Sequence, residues 1–436
     1  MSVSRPELIR AFARIGLLSF GGPAAQIALM HSELVEKRGW VTEKDYLSAL
    51  SFCMLLPGPE AMQLATWVGW RLHGTVGGLI AGLLFVLPGA VVVLALSIVY
   101  AAFGQIPLVA ALFSGVQAAV LAIVVEALLR VAKRALKTRA HWVVAALGFA
   151  ALFAFAVPFP VVILAAGLWG FFTAPAFTPP AFTPPAFAPP AFTPPTSGSP
   201  LPAATRPKTL QTVAIWGAIW LIPLGALWLF NTGLLFEIGW FFSKLATLTF
   251  GGAYAVLVWM AQEVVADKGW LTAAQMMDGL GLAETTPGPL ILVTVFVAYV
   301  AAHQVGGIAL GIAAAGITLW MTFAPCFLWI FAGAPYIARL MAQPRLAGAF
   351  AAIMAAVVGV IANLSLWFGI HVLFTRVGPF QAGPLRLTIP DPASLDPLTA
   401  ILALAAAFLI LRRHWALVPV LVLAAGASGL ATLLWA

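Results

Sequence analysis

The chain has 436 residues, 62% apolar and 8% charged, with a net charge of +8. Soluble domains carry about 25% charged residues, so this inventory cannot cover a water-facing surface and points to a polytopic protein of the lipid bilayer. The 22 Lys and Arg are scattered between apolar stretches, a pattern that anchors loops and argues against a nucleic-acid partner.

From the N-terminus, MSVSRPELIRAFARI carries Glu7 and Arg10 where a signal peptide would need an apolar core, so no cleavable leader is expected. The next stretch, LLSFGGP (17–23), interrupts an apolar segment with two glycines and a proline. Runs able to cross ~30 Å of hydrocarbon follow at 75–103, 108–130, 142–157, 159–174, 209–230, 305–333, 346–372, 397–411 and 415–435. Residues 176–195 read AFTPPAFTPPAFAPPAFTPP. Prolines at that density forbid a helix and favour a semi-rigid polyproline II linker. The chain therefore divides into 1–175, a linker at 176–207, and 208–436.

Laid over the second half at an offset of 230, residues 7–59 match 237–289 without a gap, with 17 of 53 positions identical. The identities include Phe12/Phe242, Phe20-Gly21-Gly22/Phe250-Gly251-Gly252, Met30/Met260, Glu33/Glu263, Gly39-Trp40/Gly269-Trp270, Thr42/Thr272 and Pro57-Gly58-Pro59/Pro287-Gly288-Pro289. Shared apolar composition does not align two glycine pairs and two PGP triplets in one register. The chain is an internal duplication. The 130–141 loop holds five Lys/Arg and no acid, the strongest cytoplasmic signal present. Counting spans outward from it puts the linker in the cytoplasm and gives the two repeats opposite orientation. The expected fold is thus all-α and polytopic, with two inverted repeats and helices broken or re-entrant at FGG and PGP.

Inverted-repeat transporters bind substrate where broken helices meet. Gly21, Gly22 and Pro23, with Pro57, Gly58 and Pro59, supply such breaks in the first copy. Gly251, Gly252, Pro287, Gly288 and Pro289 supply them in the second. Glycine ends one half-helix, proline opens the next, and the amides at its tip favour an anion. Arg14 and Lys244, at matching positions before the breaks, are the candidate cations, with interfacial anchoring as the bland alternative. Gln26, Thr249 and Thr286 are candidate hydrogen-bonding side chains; back-bonding to the helix is the alternative for each Thr. Glu60 and Glu284 flank the PGP triplets as candidate proton carriers. Glu33 and Glu263, before the Gly-Trp pairs, are candidate gate residues, with Arg38 and Lys268 nearby as ion-pair partners.

Cys53 and Cys326 make no CxxC or Cys/His pattern, and the six histidines include no i, i+4 pair. No metal, cofactor or catalytic triad is expected, so the chain does not read as an enzyme.

FGGP, a Glu-x-x-x-x-x-Gly-Trp segment and PGP, all duplicated, resemble the long two-domain form of the chromate ion transporter family. The resemblance covers both halves and leaves out the Pro-rich linker. It implies a multi-pass protein of the inner (plasma) membrane that exports chromate and confers chromate resistance, driven by the membrane potential or the proton gradient. The departures are Ala253 in place of the FGGP proline, and TTPGP in the second copy against LLPGP in the first. Sulfate or another tetrahedral oxyanion is the alternative substrate, and an anion channel the alternative class. The partners expected are the anion and the lipid bilayer. A homodimer stands as an open alternative.

Overall fold

The computed structural model describes residues 3–177, 206–248, 250, 257, 259–337 and 343–435. Residues 178–195 of the AFTPP array, Thr249, Gly251 and Gly252 lie outside the described residues; the first two residues of the array, expected in the non-helical linker, instead close a short helix, Ala174–Phe177, ahead of the first Pro-Pro pair. The first half carries α1 (Arg5–Leu18), α2 (Gly22–His31), α3 (Glu43–Cys53), α4 (Glu60–Phe103), α5 (Pro107–Ala135), α6 (Arg139–Phe155) and α7 (Phe159–Phe172), with a single turn at Ala174–Phe177. The second half carries Arg206–Leu229, Leu234–Leu248, Ala273–Thr285, Val293–Gly333, Pro344–Leu373, Pro397–Ala407 and Leu417–Trp435. Among the described residues, six helices are long and apolar enough to cross a membrane. Phe172, Leu404 and Leu434 are 77%, 72% and 79% exposed, a cost in water that lipid removes. The architecture is that of an all-α polytopic membrane protein.

The two halves repeat in backbone detail. Ser32–Lys37 and Gln262–Asp267 are both single π-turns. Each ends on a left-handed glycine, Gly39 at φ +58° and Gly269 at φ +59°. The following Trp amide then donates six residues back, Trp40 to Leu34 O and Trp270 to Val264 O, both at 2.9 Å. That is the glycine-terminated helix end in which L side chains are disfavoured. Thr42 and Thr272 are both N-caps, accepting from the amides of Asp45 and Gln275 at 3.1 Å. Phe12, Phe242, Met30 and Met260 are all fully buried. The identities shared by the repeats are therefore caps, breaks and core contacts.

Both long helices are hairpins of two limbs. Helix α4 breaks at His73 (φ −138°, ψ 26°) and Gly74 (φ 62°, ψ −156°). The Val293–Gly333 helix breaks at Gly306 (φ −139°, ψ 18°) and Gly307 (φ 71°, ψ −165°). In α4 the limbs fold back in contact: a Cβ on Gly69 would lie 2.2 Å from Gly77 O. At 1.5 Å per residue the limb 60–72 is about 20 Å long, well short of the hydrocarbon thickness.

One element departs from the helical expectation. Within the 376–396 stretch, Val377–Ala382 and Leu385–Pro390 pair antiparallel, with Ala382 opposite Leu385. Gly383, at φ +60°, makes the turn. An exposed ion pair, Arg376 to Asp391 at 3.0 Å, sits at the hairpin base.

Contacts gather the described residues into two units. The first takes residues up to 95, those between 206 and 250, and 286–346. The second takes 96–177, 257–285 and 347–435. Each unit draws on both sequence repeats.

Candidate functional site

Helix α1 ends at Leu18, and Ser19 bonds back to Ile15 O at 2.6 Å, the local role open to any helix-end serine. Gly21 (φ +84°) and Gly22 (φ +76°) then turn the chain, and α2 begins at Gly22 with Pro23 in its first turn. The expected stop-and-restart is what the backbone does. Nothing lies within 4 Å of a Cβ added to Gly22, so open space adjoins a helix tip whose first amides have no intrahelical partner.

The second PGP triplet is held by this first break, and all the residues involved belong to the first unit. Gly288 N donates to Ser19 O at 2.8 Å. Gln26 Nε2 donates to Gly288 O at 2.6 Å and to Ser19 O at 3.3 Å. The opposite side of the loop is closed by α4, since a Cβ on Gly89 would lie 2.2 Å from Pro287 O. Gln26 is 1% exposed, and its Oε1 meets no donor. An unpartnered buried acceptor of this kind suits a water or an oxyanion bearing a proton. The α2 amides suit the anionic oxygens.

Among the described residues, the first PGP triplet takes its side-chain hydrogen bond from nearby in the sequence. Gln63 Nε2 donates to Pro57 O at 2.6 Å, and its Oε1 is also buried without a donor. Gly58, at φ +111°, faces Cys326 Sγ. Pro59 and Pro289 directly precede α4 and the Leu290–Leu292 turn. One expectation is modified here: the Gly288 amide is spent on Ser19 O and is not presented to a ligand.

The charged candidates sit elsewhere. Arg14 is exposed, and its charge acts on Glu33. The Lys244 ammonium lies 6.0 Å from the centre of the Trp240 ring, which is half-exposed. Among the described residues it meets no acid, an arrangement that fits anchoring at the membrane edge. Glu33 is buried and paired with Lys37 at 2.7 Å and Arg38 at 3.7 Å. The Lys37 hydrogen bond holds its carboxyl below the usual carboxylate range. Arg38 also stacks on Trp40 at 5.0 Å, and Lys268 stacks on Trp270 at 5.1 Å, so the second copy repeats the cation–ring contact. Glu263 is half-buried, and the amide of Lys268 donates to its carbonyl at 2.8 Å. Glu60 is half-buried, while Glu284 and Thr286 are buried.

Sequence reasoning passed over one buried acid. Asp278 is 5% exposed, and Tyr100 and Gln117 both donate to it. The available signal was its position: it replaces Ser48 of the first repeat in an otherwise uncharged run, MMDGLGLA. Among the described residues, no group of three or more His, Cys, Asp or Glu is placed to hold a metal ion.

The profile of the chromate transporter family matches residues 6–171 and 236–430. A chromate transport protein of Pseudomonas aeruginosa is 31% identical over 98% of this chain and 92% of its own length. One from Cupriavidus metallidurans is 29% identical over 81% of this chain and 80% of its own. A probable chromate transport protein of Synechococcus elongatus is 28% identical over 84% and 85%. No solved structure matches. The matched segments carry the FGG and PGP motifs of both repeats, and the chain belongs to the chromate transporter family.

Proposed function

We propose that this protein exports chromate from the cytoplasm across the inner membrane and so confers chromate resistance. The observation that carries the reading is the junction of two breaks from different repeats: Ser19 and Gln26 of the FGGP segment grip Gly288 of the PGP segment. A joint of this kind, made of irregular backbone in an apolar chain, is tolerated in a bilayer only where protein or a cavity surrounds it. The names of the relatives supply the substrate: chromate transport proteins, two of them matching four-fifths or more of this chain.

In this reading the repeats are inverted, and α4 and the Val293–Gly333 helix enter the bilayer as re-entrant hairpins. Substrate lies at the α2 tip, with Gly21, Gly22, Pro23 and Gln26 on one side and Pro287, Gly288, Pro289 and Thr286 on the other. Pro57, Gly58, Pro59, Thr249, Gly251 and Gly252 form the second half of the pathway. Arg14 and Lys244 draw the dianion towards the entrances, and Glu33 and Glu263 hold the gates closed through their basic neighbours. Rocking of one part against the other gives alternating access.

Sulfate has the same shape and charge as chromate, so a broader oxyanion transporter is the second reading. Uptake of chromate into inside-out vesicles, with and without excess sulfate, decides between them. Saturable uptake that sulfate fails to suppress supports chromate specificity. Uptake suppressed by the excess sulfate supports the broader reading, and no uptake of either anion overturns both.

A further inference from the structure

The buried carboxylate of Asp278 lies apart from every residue assigned above. It sits on the Ala273–Thr285 helix within the second unit. Its Oδ2 accepts from the Tyr100 hydroxyl at 2.8 Å, and its Oδ1 from Gln117 Nε2 at 2.7 Å. Close helix packing enforces that geometry: a Cβ on Gly281 would lie 2.2 Å from Val116 Cγ1, beside Gln117. Both donors are neutral, and no Lys, Arg or His pairs with Asp278 among the described residues.

The surrounding elements bring little charge. The Pro397–Ala407 and Leu417–Trp435 helices carry no ionisable side chain. The end of α4 offers only Tyr100. On α5 the nearest charged group is Glu126, nine residues past Gln117 and about 13 Å along the axis, and it is paired with Arg130. Lys133 and Arg134 lie further along. On its own helix Glu284 follows six residues on. An ionised carboxylate removed from water without a counter-charge is costly, and an acid at membrane depth is a functional site by default.

We propose that Asp278 is the proton-binding residue of the transport cycle, an assignment that rests on the transporter reading. Two neutral donors support the ionised form. When a proton from water forms an O–H bond on one carboxyl oxygen, the Tyr100 hydroxyl can turn from donor to acceptor. The site therefore holds either protonation state without a new partner. The chain then runs from Asp278 through Thr285 directly into Pro287-Gly288-Pro289, so a change at the acid reaches the loop held by Ser19 and Gln26 through one short helix. The first repeat has Ser48 at the matching position, which leaves the proton to the second repeat.

The test separates this assignment from the chromate reading. Infrared difference spectra of the purified full chain, between acidic and alkaline buffer with no anion added, should show a carboxyl C=O band that Asp278→Asn removes. Tyr100→Phe withdraws a donor from the ionised form and should move the midpoint of that band up by about half a pH unit or more. In inside-out vesicles Asp278→Asn should keep chromate–chromate exchange while losing at least about tenfold of the uptake driven by a pH gradient. Glu60→Gln and Glu284→Gln should keep both the band and the gradient response. A band that survives Asp278→Asn, a midpoint unmoved by Tyr100→Phe, or an unchanged gradient response in Asp278→Asn overturns the assignment. Wild-type protein that shows the band but moves no chromate overturns the substrate and leaves the proton site standing.

Discussion

The two PGP loops share a triplet and a left-handed glycine, yet among the described residues different side chains anchor them. Gly58 sits in a loop clamped by Gln63, six residues along the same segment. Gly288 sits in a loop clamped by Ser19 and Gln26, more than 260 residues away. Duplication kept the PGP triplet but not its glutamine clamps, because Gln26 and Gln63 align with Val256 and Val293. Among the described residues, the Gly288 loop is the one whose backbone is hydrogen-bonded to the other repeat, while the Gly58 loop meets it at Cys326 Sγ.

The largest expected effect comes from crowding the loop between repeats. Gly89→Ala drives a methyl into Pro287 O, and Gly288→Ala meets Gly89 Cα at 3.3 Å at a positive φ. Each should cost roughly 1–3 kcal/mol and abolish transport. Gly58→Ala presses on the side-chain ends of Gln63 and Cys326 and should be milder. Equal losses of thermal stability at Gly58 and Gly288 would erase the distinction.

Next come the two glutamines. Gln26→Leu strips a donor from two buried carbonyls, at about 1–3 kcal/mol. Gln63→Leu strips one donor from Pro57 O and should cost less, as melting in detergent would read. The helix breaks should behave alike in the two repeats. Gly74→Ala and Gly307→Ala meet open space, so each pays only the strain of a backbone region that is essentially glycine-only, about 1–3 kcal/mol. A much larger loss at one would mean that the hairpins are not equivalent. Thr42→Ala and Thr272→Ala should each cost about 1 kcal/mol as lost N-caps. Smallest are Arg38→Met and Lys268→Met, about 0.5–1 kcal/mol for the ring contacts, with the Arg38 change adding its weak tie to Glu33.

Much of this arrangement could be read from residue types alone. Gly-Gly-Pro and Pro-Gly-Pro state their own conformations, and in-register repetition separates a shared device from an incidental kink. The long apolar runs gave helices close to their final limits. The limbs 60–72 and 293–305 follow the PGP prolines expected to open helices, but were not counted as spans because each is too brief to cross and joins its partner limb at a glycine. The 377–390 hairpin was missed because its strands are six residues each and mostly exposed, so no buried face imposes a strong alternation. Asp278 was missed because its partners lie 178 and 161 residues away, and nothing local announces them. The grip of Gln26 on Gly288 is equally non-local, although Gln26 itself stood out as a polar residue one turn into α2.

The most direct test of the joint between repeats is the initial rate of chromate uptake by Gln26→Leu and Gln63→Leu in inside-out vesicles at matched protein. The account predicts a loss of about tenfold or more for Gln26→Leu, from about 1.4 kcal/mol or more of lost support, and a smaller loss for Gln63→Leu. Wild-type rates for Gln26→Leu, or the reverse order of losses, would contradict it.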